Sequence, residues 1–214
     1  MNGDYRDYGY TAPGPGNANV DRLLAERFVD FTRHLNDVEY VCDLGCGNGY
    51  LASRLGAFGL RVTGIDASES GLAIANQHYA TDKVTFVRAE IGIDLIELLP
   101  RQRHFDVVVS SDVIEHLYRP AVLIEVAAAL LKPGGHLIVG TPYHGYLKNL
   151  AISILNKWDA HHSVHWDGGH IKFFSEQTLR KLVLQYGFQH ARFNFYGRMP
   201  WLWKHMICVA QKVT

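Results

Sequence analysis

Three glycines at alternate positions, Gly45, Gly47 and Gly49, follow the run Val41-Cys42-Asp43-Leu44 and lead into Tyr50-Leu51. Glycine lacks the Cβ that would hold a ligand off the backbone, and it tolerates positive φ. A helix opening near Tyr50 adds N–H groups without helical partners and a positive dipole end. In α/β proteins a turn of this kind, at the carboxyl end of a first strand, receives a nucleotide-like ligand. Asp66 ends the next apolar run, Arg61-Val62-Thr63-Gly64-Ile65. It follows the first glycine by about 20 residues, a spacing at which an acid binds a pair of ribose hydroxyls.

A second chemistry is carried by histidine, of which the chain has 12. Imidazole removes a proton from a hydroxyl nucleophile near neutral pH. His116, His144, His165 and His170 fall at or beyond the ends of the fourth and fifth predicted strands, where ligands collect in such sheets. His144 follows the fifth strand directly and is expected to face the pocket. The order of preference for a base is His144, His170, then His116. The run His161-His162-Ser163-Val164-His165-Trp166-Asp167-Gly168-Gly169-His170 contains residue types that ligate first-row metals. Its spacing fits no helical zinc motif, so no metal is assigned. Trp158, Trp166, Phe173 and Phe174 instead make this a loop suited to enclosing an aromatic or planar substrate.

These residues need elements to position them. Residues 1–18, rich in Gly, Pro, Asn and Tyr, have no period and read as a flexible segment or lid. Val20, Leu24, Phe28, Phe31 and Leu35 make a helical stripe. Strands are expected at 40–44, 61–66, 83–88, 105–110 and 136–140. Helices are expected after Tyr50 (burying Leu51, Leu55 and Phe58), at 69–79, at 91–99, and after Pro120 (burying Leu123, Val126, Ala127 and Leu130). A helix over 146–158, apolar on more than one side, reads as sandwiched between core and lid. Ser175 caps a last helix with Leu179, Leu182, Val183 and Tyr186, stopped by Gly187. Two strands without an intervening helix, 189–196 and 205–212, close the chain, so one of them must run antiparallel. Strands alternating with helices give an α/β fold: a Rossmann-like, doubly wound, seven-stranded sheet with an antiparallel C-terminal strand. One domain over 19–214 is expected, with a lid insertion at about 142–174.

Four motifs resemble the class I methyltransferases that use S-adenosylmethionine. They are Asp43-Leu44-Gly45-Cys46-Gly47-Asn48-Gly49, Gly64-Ile65-Asp66-Ala67-Ser68, the run from Phe105 through Ser111-Asp112-Val113-Ile114-Glu115-His116-Leu117, and Leu131-Lys132-Pro133-Gly134-Gly135. They occur in the family's order and spacing, and the resemblance runs from about Asn19 to the C-terminus. The Glu115-His116-Leu117 ending is most similar to the small-molecule branch that includes the quinone-biosynthesis O-methyltransferases. The resemblance implies that backbone at Gly45, Cys46 and Gly47 approaches the cofactor's methionine portion, with Asp43 helping to position it. Asp66 would take both ribose hydroxyls, and Ala67 would line the adenine pocket. Glu90 and Ile91 would flank the adenine, and Ser111 and Asp112 would close the site beneath the sulfur. In this branch the residue corresponding to His116 often has a structural role, and His170 matches a recurrent histidine before the last helix. Bland roles stand beside these: Asp66 or Glu90 as helix caps, Cys46 as a packing residue, His170 as a loop pin.

Composition limits the partners. Lys plus Arg and Asp plus Glu are equal at 21 each, so no overall field attracts nucleic acid. Three cysteines give no disulfide framework, no apolar run reaches membrane-spanning length, and the chain reads as cytoplasmic. The resemblance implies a small-molecule acceptor, most simply a hydroxyl. A nicotinamide oxidoreductase fits less well, because Tyr50 stands where a dinucleotide turn wants a third small residue. A non-catalytic binding subunit would be marked by a damaged cofactor motif, and the motif is whole.

Overall fold

The computed structural model describes residues 8–16, 19–92, 94–95, 105–162 and 168–213. The elements are α1 (Val20–Arg33), β1 (Tyr40–Leu44), α2 (Tyr50–Gly56), β2 (Arg61–Asp66), α3 (Glu69–Tyr79), β3 (Val84–Arg88) and β4 (Phe105–Ser111). A 3-10 turn (Ile114–His116) leads to α4 (Ala121–Leu130) and β5 (Leu131–Pro142). Then come α5 (Tyr146–Ile154), α6 (Trp158–His162), α7 (Glu176–Gln185), β6 (Phe188–Tyr196) and β7 (His205–Lys212). The seven strands form one sheet in the order β3-β2-β1-β4-β5-β7-β6. β7 is the reversed strand, antiparallel to both β5 and β6. Its first residue, His205, is therefore at the carboxyl edge of the parallel strands, paired with Pro142 and Tyr196.

Alternating side chains feed two cores, one on each face of the sheet. Val41, Val107, Val109 and Ile138 pack with Leu24, Phe28 and Leu55 from α1 and α2. Cys42, Leu44, Val108 and Leu137 pack with Leu123, Val126, Leu179 and Val183 from α4 and α7. A helix layer on each face leaves the carboxyl edge open for ligands.

Several boundaries differ from the sequence expectation. α2 ends at Gly56, so Phe58 is exposed and lies under the Arg33 guanidinium at 4.8 Å. β5 starts at Leu131 rather than His136, because Leu131 already pairs with Phe105 and the Pro-Gly-Gly stretch bulges within the ladder. The 146–158 helix is broken after Ile154. Asn156 at φ +50° places Lys157 N–H on the Ile152 carbonyl (2.9 Å) and Asn156 N–H on Ser153 (3.2 Å), a Schellman stop. It is not sandwiched as expected: Lys148 and Ile152 are buried, while Tyr146, Leu147, Leu150 and Ile154 are exposed. Ser175 caps α7 in a reciprocal box with Thr178, and Gly187 follows at φ +85°. The 91–99 helix lies largely outside the described residues.

Candidate active site

Gly45, Gly47 and Gly49 have φ of +79°, +52° and +82°, so the turn requires glycine at each. The Ile65 carbonyl accepts from Gly45 N (2.8 Å) and Cys46 N (3.1 Å), fastening the turn to β2. Asp66, at the end of β2, accepts Gly47 N–H on one oxygen and Ser68 N–H on the other, both at 2.7 Å. The α3 cap is Ser68, whose hydroxyl accepts Gly71 N–H at 2.9 Å. The capping role thus falls to Ser68, and Asp66 shapes the turn. Cys46 is buried, and burial with Asp43 nearby pushes its thiol well above the ordinary value, as suits a packing residue.

Asp43 is buried beneath this turn, and its Oδ2 has no hydrogen-bond partner. Burial, then the charge of Asp66, raises its carboxyl to about 8, against the Ala52 N–H. An orphaned carboxyl oxygen under a glycine-rich turn fits a ligand that brings donors or positive charge. Ala67 is half-buried beside Asp66, Ile91 is half-buried, and Glu90 is exposed beyond β3.

The described part of the N-terminal segment is coil, but it is seated over the turn. Asn48 Nδ2 donates to Ala12 O (3.0 Å) and Gly14 O (2.8 Å). Tyr10 N donates to Ser70 Oγ (2.9 Å) and Gly14 N to Tyr79 Oη (2.7 Å). The Tyr10 hydroxyl occupies the space that a Cβ on Gly47 would fill.

A proton-handling group stands at the ends of β4, β5 and β7. Asp112 has φ +57°, a left-handed conformation uncommon outside glycine, and its N–H donates to Gly140 O at 3.1 Å. Ser111 Oγ donates to Asp112 Oδ2 (3.2 Å), and His205 Nε2 lies 2.5 Å from Asp112 Oδ1. Glu115 is buried and accepts Thr141 Oγ1 at 2.9 Å. Burial and Glu115 push Asp112 well above the usual carboxylate range, and burial raises Glu115 to about 7. Burial and Lys148 bring His205 down to about 4. The directions agree: the carboxyls hold a proton more readily than usual and the imidazole less, while His205 Nε2 and Glu115 Oε1 are left without a hydrogen bond.

Of the histidines singled out from the sequence, His116 and His170 come together, their rings 4.9 Å apart. His116 Nδ1 lies 3.3 Å from Gly169 O, and burial lowers its pKa. His170 Nε2 is 4.0 Å from Glu115 Oε1, and burial with His116 lowers it to about 4. The loop before α7 is pinned by the Glu115 carbonyl, which accepts Ile171 N and Lys172 N at 3.0 Å each. Glu115, His116 and His170 present ligand atoms within 4.8 Å of one another, a set that could hold a divalent ion. Among the described residues of the histidine-rich run, only His170 belongs to it.

His144 does not stand with Asp112. It is boxed by Phe173 (4.9 Å), His162 (5.6 Å) and His161 (5.8 Å), with Nδ1 at 3.4 Å from Asn149 Oδ1. Burial and then Lys148 bring it down to about 3. Phe174 is buried in the core rather than lining a substrate loop, and Trp158 stacks on His162 at 4.6 Å. His165 and Trp166 lie outside the described residues. His205 was missed by sequence reasoning, although the antiparallel last strand was the signal that its first residue sits at the ligand edge.

A family model described as a methyltransferase domain matches residues 17–191. A "Ubiquinone biosynthesis O-methyltransferase" of Bradyrhizobium diazoefficiens is 32% identical over 67% of this chain and 56% of that protein. The chain thus spans about half the length of the curated relatives it matches. Among solved structures, a SAM dependent methyltransferase from Archaeoglobus fulgidus aligns with a TM-score of 0.68 at 16% identity, covering 89% of this chain and 94% of that one. Magnesium protoporphyrin IX methyltransferase of Synechocystis with bound SAH aligns at 0.67 and 20% identity, over 89% and 83%. These likenesses show the fold, and the family match replaces the nicotinamide alternative. The chain belongs to the methyltransferase domain family.

Proposed function

We propose that the enzyme methylates a hydroxyl oxygen of a small, planar acceptor. The observation that carries this reading is the Glu115–Asp112–His205 group, which holds a proton at the carboxyl edge beside the glycine turn. A hydroxyl must lose a proton as it attacks, and such a group takes it up. The O-methyltransferase names of the curated relatives support the same atom. The proposal has the enzyme work in the cytoplasm on a small molecule rather than on nucleic acid.

When bound, the cofactor supplies an electrophilic methyl on a sulfonium sulfur. In this proposal Asp66 accepts the ribose hydroxyls, and the unpaired Asp43 oxygen takes donors or charge from the methionine end. Gly45, Cys46 and Gly47 offer their backbone, Ala67, Glu90 and Ile91 border the adenine, and Ser111 and Asp112 lie below the sulfur. The acceptor oxygen gains its bond to carbon as carbon–sulfur bonding is lost, and its proton goes to the Asp112–His205 pair. The base is this pair rather than His144, because His144 is enclosed by His161, His162 and Phe173. His170 and His116 flank Glu115. The test is an assay with methyl-labelled cofactor against matched phenols and anilines, with products identified by mass spectrometry. O-methylated product supports the reading, and exclusive N- or C-methylation overturns it.

A further inference from the structure

A cavity of about 340 Å³ opens between the start of α1 and the connection from β6 to β7. Its wall includes Val20, Leu24, Tyr196, Arg198, Lys204 and His205. This is the small end of the range for ligand sites, about 300–1,000 Å³, enough for one ring and one polar substituent. His205 belongs both to this wall and to the proton-handling group, so the cavity adjoins the chemistry.

The two permanently charged side chains in its wall are both cationic, while the acid Asp112 lies beyond His205. Arg198 and Lys204 line the cavity, and Lys148 lies buried behind it, only 3% exposed. Backbone links fix their relation: Lys148 Nζ donates to Tyr143 O (2.6 Å), Tyr143 N to Lys204 O (3.0 Å), and Lys204 N to Tyr196 O (2.9 Å). Among the described residues, none of the three cations is in an ion pair with a carboxylate. Burial, then repulsion from Arg198 and Lys204, lowers Lys148 to about 8. A buried ammonium facing two like charges is an unfavourable arrangement that an anion would relieve.

We propose that this cavity binds an oxyanion carried by the methyl acceptor itself, a carboxylate or a phosphate monoester. Arg198 and Lys204 contact the anion, and Lys148 supplies charge from behind. An acceptor anchored there turns the rest of its ring toward His205, so the preferred substrate carries an anionic group and a hydroxyl on one small framework. The inference rests on the hydroxyl-methylating reading above and narrows its substrate class.

The test uses the full chain saturated with S-adenosylhomocysteine, whose own binding heat is recorded first. Para-hydroxybenzoate, para-hydroxyphenyl phosphate and neutral phenol are then titrated by calorimetry. At least one anionic probe is expected to bind about tenfold or more tightly than phenol, a preference that weakens at high salt. The tighter of the two identifies the carboxylate or the phosphate as the source. Arg198→Gln and Lys204→Gln, both at exposed positions, should each reduce the preference severalfold and together abolish it. Equal affinity for phenol and both anions, no binding of either anion, or a preference that survives the double substitution overturns the proposal. Absence of heat with S-adenosylhomocysteine would instead count against the cofactor roles on which the proposed function depends.

Discussion

At the scale of single residues, the two buried-edge acids of β1 and β2 divide the work. Asp66→Ala removes an acceptor from Gly47 and Ser68 as well as from the proposed ribose contact. Hydrogen bonds to a charged acceptor are worth roughly 1.5–3 kcal/mol each. Calorimetry should therefore show S-adenosylhomocysteine affinity weakened at least about tenfold, and unchanged affinity would refute the ribose role. Asp43 makes stability pH-dependent. Its folded value of about 8 lies above the unfolded value of about 3.9, so between these the unfolded chain has lost a proton that the folded chain keeps. The stabilisation is complete at low pH and is lost as pH rises through about 8. Buried histidines act with opposite sign, but only below about 6.5. Between pH 6.5 and 8 the apo wild type should lose melting temperature more steeply than Asp43→Asn, and parallel curves would contradict this. The glycine turn, Asp43 in β1 and Asp66 at the end of β2 were legible in the sequence because strand and turn patterns are local. His205 was not, because its significance comes from Asp112, a partner set by strand pairing.

At the scale of elements, the N-terminal coil shows what composition conveys and what it leaves out. Gly, Pro and Tyr enrichment marks the absence of regular structure, but not the anchors. Asn48 clamps two carbonyls of that coil, at Ala12 and Gly14. Net hydrogen-bond contributions of about 0.5–1.5 kcal/mol each imply that Asn48→Ala loosens the segment by roughly 1–3 kcal/mol. Hydrogen exchange at Tyr10 and Gly14 should accelerate while β1 remains protected, and unaltered exchange at both amides would show that the clamp is immaterial. Strands β1 and β2 and helix α3 were read correctly because periodicity and caps are local. The break after Ile154 was missed because its cause is one left-handed Asn156, which apolar spacing does not reveal. The exposed apolar side of α5 was missed because Lys148 counts as polar, yet it is buried with its ammonium on the Tyr143 carbonyl.

For the whole molecule, the sheet order separates two tasks along one edge. In the proposed function, the carboxyl ends of β1, β2 and β3 carry the cofactor half, and those of β4 and β5 with the start of β7 carry the proton half. Cofactor binding to the folded state alone stabilises it by about 2.7 kcal/mol at a hundred times the dissociation constant. For a chain of this size that raises the melting temperature by roughly 5–11 °C. No shift at saturating S-adenosylhomocysteine would contradict the cofactor half. The separation also requires that damage to the proton half spare cofactor binding. The decisive measurement is the pH profile of turnover for wild type and His205→Gln with an accepted substrate, beside S-adenosylhomocysteine affinity for each. Wild-type turnover should rise with pH through about 7, where Glu115 and its neighbours lose their shared proton. His205→Gln should lose about 10²–10⁴-fold in turnover, flatten that profile and keep its cofactor affinity. Near-normal turnover with an unaltered pH profile in His205→Gln would contradict the assignment of the Asp112–His205 pair as the base.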